Sequence, residues 1–121
     1  MSKSILVVED QEDNRRILRD LLSSKGYEII EVTDGLAGVE AAKREKPDLI
    51  LMDIQLPGID GYEATRRIKG EPDLAGITII AVTSYALSGD KQKALEAGCD
   101  GYVAKPYSPR KLLAEIEQHL A

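Results

Sequence analysis

Cysteine and histidine each occur once in these 121 residues, acid outweighs base, and no apolar run is long. A lone Cys99 excludes an intramolecular disulfide, so a disulfide-stapled scaffold is ruled out and a reducing compartment is expected. The lone His119 adjoins the apolar stripe of the last helical segment, far in sequence from the acidic clusters. It reads as a cation at a helix C-terminus rather than as a catalytic group. A net charge of −5 argues against a nucleic-acid partner, because phosphate contacts need a basic face. No apolar stretch approaches the roughly 18 residues of a membrane span, and no signal-peptide pattern opens the chain. A cytoplasmic location away from membranes is therefore expected. Linkers, repeats and low-complexity segments are also missing. The expectation is one domain over residues 1–121, ending with its fifth helix. At this length about two-thirds of the unfolded surface is buried, enough for a core without staples.

What is present is an alternation of two patterns. Apolar runs fall at Ile5–Val8, Ile29–Val32, Leu49–Met52, Ile77–Val82 and Tyr102–Ala104. Segments with helical spacing lie between and after them. The first carries the stripe Ile17, Leu18, Leu21, Leu22, with Lys25-Gly26 as a last-turn cation and a closing glycine. Val39 and Ala42 mark the second, stopped by Pro47. Ala64 and Ile68 mark the third, ending near Gly70. Ala94 and Leu95 mark the fourth, closed by Gly98. The fifth opens on Ser108 as N-cap with Pro109 behind it, and its stripe is Leu112, Leu113, Ile116 and Leu120.

Five strands, each followed by a helix, predict an α/β fold with a parallel sheet covered on both faces. Runs one, three and four are continuously apolar, as interior strands are. Run two carries Glu28 and Glu31, and run five is short and flanked by Gly101, so these two read as edges. The flavodoxin-like order 2-1-3-4-5 satisfies that assignment and places runs one and three side by side.

Acid then appears where stability gives it no reason to be. Run one ends in Glu9-Asp10, and run three ends in Asp53 before the turn Gln55-Leu56-Pro57-Gly58. If the two strands are parallel neighbours, three carboxylates meet beyond their carboxyl ends, where open α/β sheets bind ligands. Such a cluster repels itself unless a hard cation such as Mg²⁺ relieves it. Thr83 ends run four, followed by Ser84, and Lys105-Pro106 ends run five. Carboxylates, a hydroxyl and an ammonium together suit a phosphoryl group, with Asp53 as a nucleophile. No glycine-rich loop follows run one, and its acidic turn would repel a nucleotide phosphate.

With these residues the chain resembles the receiver domains of two-component response regulators. The matching stretches are ILVVEDQEDNRRILRDLL (5–22), PDLILMDIQLPGIDGYEATRRI (47–68), IIAVTSYA (79–86) and AGCDGYVAKPYS (97–108). The likeness extends to stand-alone regulators of the DivK type, which lack an output domain. It implies that Asp53 is the phosphoacceptor and that Asp10 binds Mg²⁺ directly. Glu9 would act through water, and the main-chain carbonyl of Gln55 would be a further ligand. It implies Thr83 as the switch hydroxyl, Tyr102 as the switch aromatic, and Lys105 as the lysine before a cis Pro106. Glu9 departs from the family, where many members have Asp. The implied partners are a sensor histidine kinase or histidine phosphotransfer protein and a downstream protein target. The face of the fourth helix, fifth strand and fifth helix would change on phosphorylation. Gln55 and Tyr85, two residues past the acceptor and the switch hydroxyl, would set the phosphoryl lifetime.

The competing enzyme is a Mg²⁺-dependent phosphatase of the haloacid dehalogenase type, also with an aspartyl nucleophile. It needs a second Asp two residues on, and Gln55 stands there without a general acid's chemistry. Elsewhere plainer readings suffice. Asp13 and Asp34 read as an N-cap or a solvated turn, Cys99 as a small buried residue. The basic residues at 43–46, 66–69 and 91–93 read as solvated helix faces.

Overall fold

The apolar runs extend because alternate side chains can be buried on two opposite faces at once. The computed structural model describes residues 3–83 and 90–120. Five strands, β1 (Ser4–Val8), β2 (Glu28–Val32), β3 (Leu49–Asp53), β4 (Thr78–Thr83) and β5 (Gly101–Ala104), form one parallel sheet. Their order is β2-β1-β3-β4-β5, as the strand compositions predict. Interior β3 is buried at every residue, whereas edge strand β2 is nowhere fully buried.

Five helices alternate with the strands: α1 (Glu12–Ser23), α2 (Gly35–Glu45), α3 (Gly61–Lys69), α4 (Asp90–Ala97) and α5 (Pro109–Leu120). Leu18 and Leu22 of α1 and Leu112 and Ile116 of α5 join Ile5, Val7, Leu49 and Leu51 in one core. Val39 and Ala42 of α2, Ala64 and Ile68 of α3 and Ala94 of α4 join Leu6, Val8, Ile50 and Met52 in the other. Each fully buried aliphatic side chain contributes about 1.5–3 kcal/mol, which fixes strand register against a one-residue slip.

Local chemistry sets the helix ends. Asp34 caps α2 by accepting from the Ala37 N–H at 2.8 Å, and Asp60 caps α3 by accepting from the Glu63 N–H at 2.9 Å. Ser108 Oγ accepts from the Lys111 N–H at 3.1 Å, the predicted cap of α5. Lys46 takes a left-handed φ of 45° because Pro47 disfavours a helical residue before it. Gly98, at φ 109°, closes α4 as predicted.

Four expectations are revised. α1 stops at Ser23, so Lys25 lies past its last turn, whereas Gly26 (φ 86°) closes the helix as predicted, its N–H donating to the Ser23 carbonyl and that of Tyr27 to the Leu22 carbonyl. Ile17 is 57% exposed and Leu95 46% exposed, so neither belongs to the core-facing stripe of its helix. Lys69 does not lie on a solvated face. Its Nζ donates to the carbonyls of Ala75 (3.1 Å) and Ile77 (2.7 Å) and to the Asp100 carboxylate (2.9 Å), tying the end of α3 to the starts of β4 and β5. Cys99 is buried as expected, with its Sγ 3.7 Å from Thr65 Oγ1, and burial pushes its thiol pKa up.

Candidate functional site: an acid pocket at the strand ends

Parallel register brings the pocket together. Val8 pairs with Met52, so the residues that follow them, Glu9 and Asp53, leave the sheet level with each other. Thr83 pairs with Ala104, so Lys105 emerges one step beyond, and its N–H donates to the Thr83 carbonyl. The carboxylates of Glu9, Asp10 and Asp53 each offer an oxygen within 4.8 Å of the others. Glu9 and Asp53 are buried and Asp10 is half-buried, facing the opening.

Asp53 is fixed from two sides. Its Oδ1 accepts from the Gln55 N–H at 3.1 Å, and Lys105 Nζ stands 3.5 Å from Oδ2. Glu9 is held more tightly. One oxygen accepts from the Gln11 N–H at 3.0 Å, the other from Lys105 Nζ at 2.9 Å and Asn14 Nδ2 at 3.4 Å. Burial, and then the charge of Glu9, push the Asp53 carboxyl up to about 6, against the opposing pull of Lys105. Burial also acts on Glu9, yet the Gln11 N–H and Lys105 outweigh it and hold Glu9 below its usual range. Lys105 loses solvation, and the two carboxylates more than restore its charge, so its pKa is raised.

This donor set fits Mg²⁺. All of its side-chain ligand atoms are hard oxygens, gathered within 4.8 Å of one another, and Mg²⁺ takes oxygen ligands of this kind while keeping several waters. The raised Asp53 carboxyl marks a buried demand for positive charge that Lys105 alone does not meet.

The other predicted residues take their places around this pocket. Thr83 is buried at the end of β4. Tyr102 pairs with Ala81 on the same sheet face as Thr83 and packs, half-buried, against the α2–α3–α4 core. The Lys105–Pro106 bond is cis. Ser84 and Tyr85 lie outside the described residues.

Several neighbours escaped the sequence reading. Arg15 donates through Nη1 to the Glu9 carbonyl at 3.0 Å. Gly61 touches the acceptor strand so closely that a Cβ there would lie 2.3 Å from the Asp53 carbonyl oxygen. Its signal is the Asp60 N-cap just before it, which places residue 61 at a helix start. Tyr107 lies over the pocket's flank, where burial raises its hydroxyl pKa. Periodicity carries no mark of Arg15 or Tyr107.

Comparison with known proteins agrees with this geometry. The family model for the response regulator receiver domain matches residues 5–117. The polar-differentiation response regulator DivK of Brucella anthropi is 42% identical over 120 residues, covering 99% of this chain and 98% of the relative. Among solved structures, the receiver domain of sensor histidine kinase PA1611 from Pseudomonas aeruginosa superposes with a TM-score of 0.92. It is 38% identical, with 99% of this chain and 98% of that chain covered, and carries a magnesium ion coordinated in its active-site cleft. A putative response regulator from Chloroflexus aurantiacus gives a TM-score of 0.95 at 28% identity, with 99% and 98% covered. The chain belongs to the response regulator receiver domain family and is a phosphorylation-type signalling module of a two-component system. Over nearly its full length it is similar to polar-differentiation response regulators of the DivK kind.

Proposed function

We propose that Asp53 is the phosphoacceptor and that Glu9, Asp10, Thr83 and Lys105 serve it. One observation carries this reading: a buried carboxylate ending a central strand, with two further carboxylates within 4.8 Å and a lysine ammonium 3.5 Å away.

The donor is a phosphohistidine on a sensor histidine kinase or histidine phosphotransfer protein. An Asp53 oxygen forms a bond to phosphorus while the bond from phosphorus to the imidazole nitrogen breaks. The electron pair leaves with that nitrogen, so the imidazole is restored and Asp53 carries an acyl phosphate. Lys105, whose charge is secured by Glu9 and Asp53, offsets the negative oxygens of the arriving group. Thr83 donates a hydrogen bond to a phosphoryl oxygen. Asp10 and Asp53 would hold Mg²⁺, with Glu9 acting through water and the Gln55 main-chain carbonyl as a further ligand. When bound, the cation supplies positive charge at the phosphoryl oxygens and relieves the carboxylate repulsion.

An apolar groove of about 470 Å³ lies beside Lys105, with Ile17, Leu21, Pro106 and Tyr107 in its walls, and a protein donor reaching Asp53 would pack against it. Hydrolysis of the acyl phosphate resets the switch, and the resemblance to the family gives Gln55 and Tyr85 the tuning of its lifetime. The protein thus acts as a cytoplasmic signalling switch rather than an enzyme with a separate substrate. Its output is the binding of a downstream protein at the α4–β5–α5 face, with no nucleic-acid partner.

The test is intact-mass spectrometry after treatment with acetyl phosphate and Mg²⁺. One phosphoryl group is expected on the wild-type chain and none on Asp53→Asn. Labelling that persists in Asp53→Asn overturns the assignment.

A further inference from the structure

We infer that Arg15 is a positioning residue for the acid pocket, orienting the peptide that joins Glu9 to Asp10. The inference rests on the reading of that pocket as a cation site. The Glu9 carbonyl that receives Arg15 Nη1 at 3.0 Å belongs to the Glu9–Asp10 peptide. That peptide lies past the last residue of β1, where the ladder no longer dictates its tilt. Its tilt sets the direction in which the Asp10 side chain leaves the backbone.

Glu9 and Asp53 have anchors of their own. The Glu9 N–H donates to the Val32 carbonyl at 3.1 Å, and its carboxylate is gripped by Gln11, Asn14 and Lys105. Asp53 is held by the Gln55 N–H and Lys105. Asp10 takes its direction from the peptide that Arg15 pins.

The guanidinium is itself held. Its Nη2 pairs with Glu12, and its Nε stands 3.7 Å from Glu31. Glu31 is in turn fixed by Arg19, at 2.6 Å to Nε and 2.9 Å to Nη2. The Arg15 side chain is only 14% exposed, so its contact with the Glu9 carbonyl is sheltered, whereas the outer partner Glu12 is open to solvent. Two acceptors on separate guanidinium nitrogens, with a third carboxylate at ion-pair distance from Nε, match the planar fork of arginine, which a lysine ammonium cannot reproduce. Edge strand β2 thereby reaches the pocket through Glu31 without contributing a residue to it.

The test is calorimetric titration of Mg²⁺ into the full chain, with unfolding midpoints measured in parallel. Arg15→Lys and Arg15→Gln are expected to weaken Mg²⁺ binding about tenfold, as loss of a supporting partner to a metal ligand does. The Asp10 amide resonance, borne by the same peptide, shifts in both variants. Ile68→Val, a core change on the opposite sheet face, serves as the stability control and keeps wild-type affinity. If Arg15→Lys retains wild-type affinity, charge alone suffices and the inference fails. It fails equally if Ile68→Val loses as much affinity as Arg15→Lys. Should neither Arg15 variant fold, Glu31→Gln is expected to weaken binding about threefold, and an unchanged affinity there overturns the inference. Asp10→Asn separates the two levels. Wild-type affinity in that variant overturns the pocket and the role of Arg15 with it, whereas a weakened Asp10→Asn beside an unchanged Arg15→Lys overturns only the latter.

Discussion

At the scale of single residues, Asp53 sits in a place that costs the fold. Its carboxyl is pushed up to about 6 from a model-peptide value of 3.8. A raised carboxyl pKa gives stability that is complete below the unfolded value and is lost as pH rises through the folded one. At neutral pH the metal-free chain therefore carries a penalty of at most about 3 kcal/mol, reduced by the coupling to Glu9 and Lys105. Asp53→Asn is expected to raise metal-free stability by ~1–2 kcal/mol at pH 7.5 and by almost nothing below pH 4. Urea unfolding in chelator at the two pH values checks this, and equal effects at both would contradict it. Lys69 is the opposite case, a charge that holds the fold together. Lys69→Met removes the donor shared by the Ala75 and Ile77 carbonyls and leaves the Asp100 carboxylate with only the Ile79 N–H. The expected loss is ~1–3 kcal/mol, with phosphorylation rate unchanged because Lys69 lies at the far end of the sheet.

At the scale of elements, the contact between α3 and β3 is the tightest constraint on the pocket. Gly61 donates its N–H to the Ile54 carbonyl at 2.9 Å, and any Cβ there collides with the Asp53 backbone. Gly61→Ala must displace either the helix or the acceptor strand, at a cost of about 1–3 kcal/mol. Phosphorylation from acetyl phosphate should slow with it, which a mass-spectrometric time course measures. Thr83 and Tyr102 test the link to output. Both lie on one face of β4 and β5, so a hydroxyl moving toward the phosphoryl group alters the space open to the ring. Thr83→Ala and Tyr102→Ala should still permit labelling of Asp53 yet lose the rise in partner affinity produced by beryllofluoride. Full wild-type affinity changes in both variants would exclude this route. The elements themselves were legible because apolar runs and capping residues act locally. Asp34 and Ser108 bond within three residues of themselves, so their roles need no tertiary knowledge. Ile17 and Leu95 were misassigned because periodicity finds an apolar stripe without saying which of its edges meets the sheet.

At the scale of the whole molecule, sheet order could be read from which strands tolerate acid, and the pocket from acid placed where a strand ends. Lys69 and Arg15 could not be read, because the contacts that tie them to distant elements end on backbone carbonyls, which every residue has and only the fold positions. A cation that binds the folded pocket alone must also stabilise the entire chain. Mg²⁺ at about a hundred times its dissociation constant is expected to add ~2.7 kcal/mol to unfolding. Asp10→Asn should lose most of that gain in a thermal melt, and an identical gain would place the ion elsewhere.

The pocket takes its residues from the ends of β1, β3, β4 and the segment after β5, which meet only across the completed sheet. The last of these, Lys105, follows a four-residue edge strand late in the chain. A nascent or locally frayed copy therefore brings carboxylates together without their ammonium, and on the function proposed above it takes up a phosphoryl group more slowly. On that reading, completing the last edge strand also acts as a gatekeeper: an unfinished copy answers the upstream partner poorly, so the signal passes mainly through finished molecules.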